Sequence, residues 1–366
     1  MAIYQPGEVV AERYRISQAL SQGGMGAVYL AEQLSLGRQV ALKVILAQHQ
    51  DSESLRLRFD HEARAVCQLH HPNIITYHDY GHDAQGRPFL VMEFLAGYPG
   101  TDLVYGASIP TVASCIHVLG QLASALFEAH RRGIIHRDLK WSNAMIVPQA
   151  HDPLFTKLID FGILKLATDG SSGDQRQELT RTGVLLGTPQ YMSPEAICGR
   201  PIDGRADQYS LAVMAYELLT GRRPFETESR LELLRQHVQD PAPAMDDIGP
   251  ERERMPQLEA AVLRGMAKRP EDRFESVIAF HAALARAVGL PEPTAPSPAR
   301  RATGRGAAAA EARTPLARPG VGPTPIAGRT DPRGVAHRAH TGESALAPQR
   351  TPSAAPIDTA ADTGSR

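Results

Sequence analysis

Two carboxylates and one side-chain amide in residues 134–162 restrict the fold more than any other feature of this sequence. Asp138 is followed five positions later by Asn143, and Asp160 comes seventeen positions after that. Carboxylate and amide oxygens are ligands that Mg2+ prefers, and a further carboxylate can orient an attacking hydroxyl. Phosphoryl transfer requires these groups of a protein. The pattern therefore predicts a fold that brings the three side chains to one site.

The composition narrows the class of protein and its compartment. The chain has 366 residues, 39 basic and 40 acidic side chains and a formal net charge of -1, which argues against binding to nucleic acid or to membrane surfaces. The three cysteines are far apart and lack metal-ligand spacing, which favours reduced thiols. No stretch approaches the length of a membrane span, about eighteen apolar residues, and the first residues lack the basic region and apolar region of a signal peptide. We therefore expect a cytoplasmic protein.

The motifs around the three polar residues resemble those of the protein kinases. Residues 136–140 read His-Arg-Asp-Leu-Lys, residues 160–162 read Asp-Phe-Gly, and Ser-Pro-Glu follows at 193–195. Asp-Phe-Gly alone is a common loop tripeptide, but the motifs in this order argue strongly against a chance match. The Gly-Gly-Met-Gly loop at 23–26 and the Thr-Arg-Thr segment at 180–182 are most similar to bacterial eukaryotic-like (Hanks-type) serine/threonine kinases.

This resemblance covers residues 8–288 and implies an α+β, two-lobed protein-kinase fold. The N-lobe, about 8–95, would hold an antiparallel sheet and one main helix, and the C-lobe, about 96–288, would be mostly α-helical, with ATP between them. β-rich runs predict strands at 13–20, 27–33, 38–46, 74–82 and 88–95. Helical spacing predicts helices near 54–70 and 110–132, and a buried central helix opening at Asp207.

A change of composition predicts where the folded part ends. From Pro291 onward the chain is rich in Pro, Ala and Arg, with ten basic and six acidic residues and almost no large apolar side chains. Such a segment cannot bury enough surface to order itself. We therefore expect residues 289–366 to be a disordered tail of net charge about +4.

The resemblance implies a nucleotide site in the N-lobe and at the hinge between lobes. Lys43 would contact the phosphates and pair with Glu62, which falls on the apolar stripe of a predicted helix. Ser21 stands where the family has its first glycine, which could stiffen the loop or weaken nucleotide binding. Without the resemblance, the glycines would fit an ordinary hairpin and the apolar residues an ordinary core. The implied ATP-binding residues are Ser21, Gln22, Gly23, Gly24, Gly26, Val28, Ala41, Lys43, Met92, Glu93, Leu95 and Met145.

The same resemblance gives roles to the catalytic stretch. Asp138 would orient the substrate hydroxyl and accept its proton, and Lys140 would contact the terminal phosphate. Asn143 and Asp160 would bind Mg2+, for which Mn2+ could substitute. Lys140 together with Gly-Thr-Pro at 187–189 resembles the serine/threonine-specific kinases rather than the tyrosine-specific ones. Trp141 stands where the family usually has proline, and we expect it to alter packing or substrate docking rather than chemistry.

Regulation and structural support are also implied by the resemblance. Thr180 and Thr182 match threonines that are phosphorylated in bacterial relatives, and Arg137 is the natural partner of an added phosphate. The alternative is a pair of solvated loop threonines. Asp207 would steady the catalytic loop and Arg273 would pair with Glu195. The supporting residues are Arg137, Thr188, Glu195, Asp207 and Arg273.

The resemblance implies ATP-dependent phosphorylation of serine and threonine in protein substrates. It also implies autophosphorylation, for which a transient homodimer could form. We expect no nucleic-acid partner and no membrane span. One alternative is a pseudokinase scaffold that binds nucleotide and partners without turnover, against which the presence of Lys43, Asp138 and Asp160 argues. Another is a small-molecule phosphotransferase on a related fold. The segment from Gly-Thr-Pro to Ser-Pro-Glu argues against it, because in the kinases this segment builds a platform for peptides.

Overall fold

The computed structural model describes residues 3–23, 26–46, 53–106, 110–161, 188–248 and 254–292. Residues 1–300 make up one compact unit, and a second unit, residues 301–366, lies outside the described residues. The predictions for Gly24, Thr180 and Thr182 and for the segment from residue 293 onward also fall outside them.

The small lobe is built on a six-stranded antiparallel sheet with the order β1-β2-β3-β4-β6-β5. Five of its strands overlap the runs predicted from the sequence, because runs rich in Val, Ile, Leu and Tyr between turn residues favour strands. A hydrophobic cluster on one face of the sheet contains Tyr14, Tyr29 and Phe89. The strands are β1 (Val9–Val10), β2 (Tyr14–Gly23), β3 (Gly26–Gln33), β4 (Arg38–Ile45), β5 (Tyr77–His82) and β6 (Pro88–Glu93).

Helix α1 (Glu53–Cys67) packs against β5 and β6 through the apolar stripe that predicted it. Phe59, Ala63 and Val66 are at most 3% exposed, and Leu69 just beyond the helix is 2% exposed. Burial of such side chains contributes about 1.5–3 kcal/mol each for the larger ones. The stripe therefore fixes which face of α1 meets the sheet.

The large lobe is mostly helical and begins with a small three-stranded sheet of order β7-β8-β9. Its core is formed by the central helices, which pack on one another and on this sheet. The strands are β7 (Tyr98–Pro99), β8 (Ala144–Ile146) and β9 (Thr156–Leu158), and the helices are α2 (Gly100–Tyr105), α3 (Val112–Arg131), α4 (Pro194–Ile197), α5 (Gly204–Thr220), α6 (Arg230–Gln239), α7 (Pro256–Gly265) and α8 (Val277–Ala287).

Helix α5 is the buried centre of the large lobe, as predicted, but it begins three residues earlier than predicted. Every residue from 206 to 219 is buried. The Asp203 side chain caps the helix by accepting a hydrogen bond from the Arg205 amide. Gly221, in the left-handed conformation with φ 70°, ends it. Asp207 therefore lies in the first turn of the helix rather than at its opening.

Helix α3 corrects one prediction about membranes. Among the described residues it is the one helix long and apolar enough to meet a membrane-span criterion by length and composition, so the expectation that no stretch approaches a span was too strong. Leu119, Leu122 and Leu126 are fully buried inside the lobe. The apolar character of α3 is thus used in the protein core. Gly133, with φ 75°, follows the helix end as its sequence position predicted.

A short main-chain bridge joins the segment after α1 to the large lobe. Ile74 and Leu158 form an isolated parallel bridge, in which the Leu158 amide donates to the Asn73 carbonyl at 2.8 Å and the Ile75 amide donates to the Leu158 carbonyl at 3.0 Å. The Asn73 side-chain amide also donates to the Thr156 carbonyl at 2.8 Å. These bonds hold residues 73–75 against β9.

Candidate active site

Asp207 of α5 holds the main chain that leads into the predicted catalytic residues. Its carboxylate accepts hydrogen bonds from the His136 amide at 2.8 Å and the Arg137 amide at 3.0 Å, and it contacts His130 Nε2 at 2.7 Å. Burial alone would raise the pKa of Asp207, but the bond from His130 and the neighbouring histidines and amides lower it overall. Asp207 is therefore a charged anchor in the core, and the loop support predicted for it is present.

His136 links the two catalytic motifs. It is fully buried, and burial lowers its pKa, so the ring is neutral. Nε2 donates to the Ile159 carbonyl at 3.1 Å, while Nδ1 accepts from the Asp138 amide at 3.3 Å. Its ring packs on Phe161, with centroids 4.8 Å apart. A single imidazole thus fixes the main chain beside both predicted catalytic carboxylates.

The backbone is strained at two positions in these motifs. Arg137 has φ 63° and Asp160 has φ 57°, a left-handed conformation that non-glycine residues rarely adopt. Such a conformation typically costs about 1–3 kcal/mol and persists only where the surroundings enforce it. Here the bonds to Asp207 and His136 supply that enforcement.

Asp138 lies in a polar cluster with Lys140, Asn143 and Thr188. Lys140 Nζ is 2.9 Å from Asp138 Oδ2 and donates to Thr188 Oγ1 at 2.9 Å. The Asn143 side-chain nitrogen donates to the Asp138 carbonyl at 2.8 Å and lies 3.3 Å from Oδ2. The structure therefore brings Asp138, Lys140 and Asn143 together, and Thr188 connects this cluster to the segment that follows it.

Asp160 contacts Lys43 across the two lobes. Lys43 Nζ is 2.8 Å from Asp160 Oδ1, with both side chains about a quarter exposed. The predicted pair between Lys43 and Glu62 is not formed in this structure. Glu62 lies on α1 with its side chain 23% exposed and has its ion-pair contact with His61 at 3.8 Å. The Lys43 ammonium group thus takes Asp160 as its partner here.

The residues predicted to bind metal fit a hard divalent cation by the chemistry of their donors. Asp160 offers carboxylate oxygens, and Asn143, whose side-chain nitrogen is used toward Asp138, offers its amide oxygen. The Ile159 amide donates to the Asn143 carbonyl at 2.8 Å. Because Ile159 directly precedes Asp160, this bond holds the main chain of one predicted ligand beside that of the other. Within the described ranges, no cluster of three His, Cys, Asp or Glu residues could form a separate metal site.

The apolar residues predicted around adenine lie where β4 and β6 meet the hinge. Ala41 pairs with Met92 across the strands, and both are nearly buried in the core shared by the lobes. Val28 and Leu95 are partly buried against that core. Met145 is half-buried on β8, beside β7. The role of these residues in nucleotide binding remains a prediction.

The glycine-rich turn has a structural reason for one of its glycines. A Cβ on Gly26, which has φ 154°, would lie 2.1 Å from the Val44 carbonyl oxygen. Gly26 is therefore required by the close approach of β3 and β4, whatever it does toward phosphate. Gly23 pairs with Gly26, and Gln22 and Ser21 precede it on β2, where Ser21 follows a register shift of the β2–β3 pair. The family departure at Ser21 thus falls at an irregular point of the sheet.

Sequence reasoning missed a charged contact at the hinge. The Glu93 carboxylate accepts hydrogen bonds from Lys157 Nζ at 2.6 Å and from the Thr76 amide at 2.7 Å. Burial alone would raise the pKa of Glu93, but these two donors lower it overall. The Glu93 amide donates to the Thr76 carbonyl at 2.9 Å. A lone lysine on a short strand gave no sequence signal for this contact.

Two further predictions concern packing under the site. Arg273 is fully buried and makes a two-point contact with Glu195, at 2.7 and 2.8 Å, so the predicted pair is present. Trp141 is fully buried, and its Nε1 donates to the Met214 carbonyl of α5 at 3.3 Å. A Cβ on Gly100 would lie 2.7 Å from the Trp141 ring. Trp141 is therefore part of the core packing of the large lobe, and its effect relative to the usual proline stays a prediction.

Comparison with known proteins agrees with this arrangement. The family model described as protein kinase domain matches residues 14–280. The chain belongs to the protein kinase domain family. Three features described above agree with this membership. They are the sequence motifs, the antiparallel sheet of the small lobe and the helical large lobe.

Several bacterial serine/threonine kinases are similar to the chain. It is 44% identical over 277 residues to serine/threonine-protein kinase Pkn1 of Myxococcus xanthus, covering 74% of this chain and 38% of that protein. It is 36% identical over 293 residues to serine/threonine-protein kinase PknB of Mycobacterium tuberculosis, covering 78% and 45%. The chain thus spans less than half the length of these two curated relatives.

A solved structure shares the fold. The crystal structure of the Mycobacterium tuberculosis PknI kinase domain superposes with a TM-score of 0.61 at 26% identity, covering 78% of this chain and all of that one. The two-lobed architecture predicted from the sequence is confirmed by this similarity.

Proposed function

We propose that this chain is an ATP-dependent serine/threonine protein kinase that transfers the γ-phosphate of ATP to hydroxyl groups of proteins. The observation that carries this proposal is the contact of Asp138 with Lys140, and of Lys140 with Thr188, beside the Asp160–Lys43 pair. Family membership and the named kinases at 36–44% identity support it. The complete set of kinase residues argues against the pseudokinase alternative.

The chemistry follows from the positions of the charged groups. The substrate oxygen would attack the γ-phosphorus of ATP, and the bond from that phosphorus to the bridging oxygen of ADP would break. Asp138 accepts the hydroxyl proton, and Lys140, 2.9 Å from it, is placed to stabilise negative charge on the moving group. Bound by Asn143 and Asp160, Mg2+ would neutralise charge on the phosphates. Lys43 would release Asp160 and hold the phosphates from the other lobe.

Substitution of Asp138 tests the activity. Asp138→Asn keeps the size of the side chain but removes the proton acceptor, so we expect transfer to a generic protein acceptor to fall by about 10²–10⁴-fold. The assay measures radiolabelled phosphate on the acceptor, with ATP binding measured in parallel to show that the nucleotide site is intact. Equal rates for the two proteins would remove Asp138 from this role.

The acceptor residue is tested separately. We expect phosphoserine and phosphothreonine in hydrolysed substrate, because Lys140 and the Gly-Thr-Pro segment at 187–189 resemble those of the serine/threonine-specific kinases. Phosphoamino-acid analysis makes this measurement. Phosphotyrosine as the main product would contradict the assignment.

We also propose autophosphorylation on Thr180 and Thr182, with Arg137 as the partner of the added phosphate. Mass spectrometry of the active protein after incubation with Mg2+ and ATP should find phosphate on one or both threonines. An active preparation without phosphate on either residue would reject this proposal. A transient homodimer and a cytoplasmic location stay predictions, which the concentration dependence of autophosphorylation and cell fractionation test.

A further inference from the structure

A pocket lies directly beyond the polar cluster around Asp138. It has a volume of about 410 Å³ and is open to solvent on the surface of the large lobe. Gln190 lines it and follows Thr188 by two residues, so the Cα atoms of these two residues lie within about 7.6 Å of each other. The pocket is therefore within reach of a peptide whose hydroxyl meets Asp138. Its lining includes Gln190, Arg223, Phe225, Glu226, Glu228 and Leu233.

The positive charge in this lining is already matched. Arg223 Nε donates to Glu217 Oε1 at 3.0 Å. Glu217 is fully buried and also accepts hydrogen bonds from the hydroxyls of Tyr191, at 2.6 Å, and Tyr105. A buried carboxylate that lost its arginine would be left uncompensated, so this pair is held strongly. Arg223 thus lines the pocket with its charge paired to a buried carboxylate.

The negative charge in the lining is unmatched. Glu226 and Glu228 are exposed, and neither forms an ion pair within 4.0 Å with any residue that the structure describes. The side-chain oxygen of Gln190 is buried and accepts no hydrogen bond from the described part of the chain. The wall therefore offers two carboxylates that have no ion-pair partner among the described residues, and behind it lies one buried amide oxygen without a donor.

The floor of the pocket is apolar. Phe225 is 6% exposed and Leu233 is 4% exposed, and both line the pocket with the small part of their surface that is accessible. An apolar floor below a carboxylate rim suits a side chain with a long hydrocarbon stem and a cationic head. Arginine has such a stem, and its planar head carries five N–H donors that can reach several acceptors at once.

We propose that this pocket binds an arginine side chain of the acceptor protein, so that the enzyme prefers threonine or serine within basic segments. The inference rests on the proposed kinase function and names a substrate class for it. The guanidinium group contacts Glu226 and Glu228, and its stem packs on Phe225. Because the neighbouring Arg223 is held by Glu217, it does not repel the incoming charge strongly enough to close the site.

The experiment uses the full chain and a set of threonine peptides. Each peptide carries one arginine at a different position before or after the threonine, and a matched set carries citrulline, which keeps the stem but removes the charge. We expect one position at which arginine lowers KM by about fivefold or more relative to citrulline, since two partly exposed charged contacts are each worth up to about 1 kcal/mol. The kcat values should differ much less than the KM values.

Paired substitutions then assign the effect to the pocket. In Glu226→Gln/Glu228→Gln the preference for arginine over citrulline should disappear. Glu12→Gln/Glu275→Gln changes the net charge equally at exposed sites that do not line the pocket, and should keep the preference. Retention of the preference in the pocket variant would overturn the inference, as would a lower KM for the citrulline peptides than for the arginine peptides.

The failure of this inference differs from the failure of the proposed function. If the parent protein phosphorylates the peptides but prefers arginine at no position, it is a kinase whose pocket does not bind arginine. Only this inference is then wrong. A parent protein that phosphorylates no peptide and no protein acceptor contradicts the proposed function itself.

Discussion

His237 shows at the scale of one residue how burial fixes a charge state. The residue is fully buried, with Nδ1 2.9 Å from the Tyr209 hydroxyl and its ring 5.0 Å from that of Phe225. Burial, with a smaller effect of the Lys268 cation, lowers its pKa to about 3. At mildly acidic pH the imidazole is therefore neutral in the folded protein, whereas it is protonated in the unfolded chain.

This shift predicts a pH dependence of stability. Between pH 6.5, the ordinary pKa of histidine, and about 3, the unfolded chain binds a proton at His237 that the folded protein does not, so the free energy of unfolding falls as the pH falls. His237→Gln should be less stable than the parent at pH 7.5, but should lose less of its stability between pH 7.5 and pH 4.5. Urea unfolding at the two pH values measures this difference.

The exposed His151 supplies the control for this experiment. His151→Gln should leave the pH dependence of the parent unchanged. If His237→Gln and the parent lose equal stability on acidification, protonation of this histidine does not contribute to acid unfolding.

Individual site residues were predictable to the extent that their chemistry restricts residue type. Asp138, Asn143 and Asp160 were found because metal binding and proton transfer demand carboxylates and amides at fixed spacing. Lys157 and His237 were not found, because their roles depend on partners brought together only by the tertiary fold. Spacing along the chain contains no record of such contacts.

At the scale of elements, the Glu195–Arg273 pair ties α4 to the segment just before α8. Both side chains are buried, and Arg273 also donates to the Arg205 carbonyl at the start of α5 at 2.7 Å. One guanidinium group therefore connects three parts of the large lobe. Its loss would leave the Glu195 carboxylate buried without a cation.

Arg273→Ala should destabilise the protein by about 3–5 kcal/mol, the usual effect of removing one partner from a buried ion pair. Chemical unfolding followed by circular dichroism measures this change. Arg269→Ala removes an exposed arginine that pairs with Glu271, and it should have little effect because surface pairs contribute little. Similar losses of stability in the two variants would show that the buried ion pair contributes no more to the free energy of unfolding than the exposed one.

The elements themselves were largely predictable, while their ends were less so. The strands follow from apolar runs between turn residues. The α1 and α3 helices follow from helical periodicity, because one face of each must be buried. The start of α5 was placed at Asp207 although Asp203 is its cap, since the residues between them lack an apolar pattern. The polar side chain that satisfies the first amides, rather than the first apolar residue, marks that end.

At the scale of the whole molecule, Lys43 has two candidate carboxylate partners on opposite sides of the cleft. In this structure it contacts Asp160 of the large lobe, while Glu62 of α1 is in contact with His61. In active kinases the lysine pairs with the helix glutamate and the aspartate binds metal. The described arrangement differs from that one, and catalysis by the proposed function would require Glu62 to come within reach of Lys43.

Glu62→Gln separates these two arrangements. Since Glu62 makes no close ion pair in the present arrangement, we expect the free energy of unfolding to stay close to that of the parent. The kinase rate should fall by at least about tenfold, the loss expected when a coupling of 1–3 kcal/mol is removed. Chemical unfolding and initial rates on a protein acceptor make the two measurements. An unchanged rate would show that Lys43 does not use Glu62 during catalysis.

The two-lobed fold was predictable because the order of motifs along the chain is specific to it. The choice between the partners of Lys43 was not, because the same sequence must be compatible with both. That choice depends on a difference of a few kcal/mol between states of the whole molecule, which no local pattern determines.

The hydrogen bonds of residues 73–75 to β9 have a mechanical consequence for that change of partner. Because they fasten the chain just past the C-terminal end of α1 to the large lobe, that end acts as a pivot when the helix moves. Displacement must then grow with distance from the pivot, so the first turns of α1 travel farthest. A contact that pushes or restrains those first turns would therefore have the largest effect on the position of Glu62.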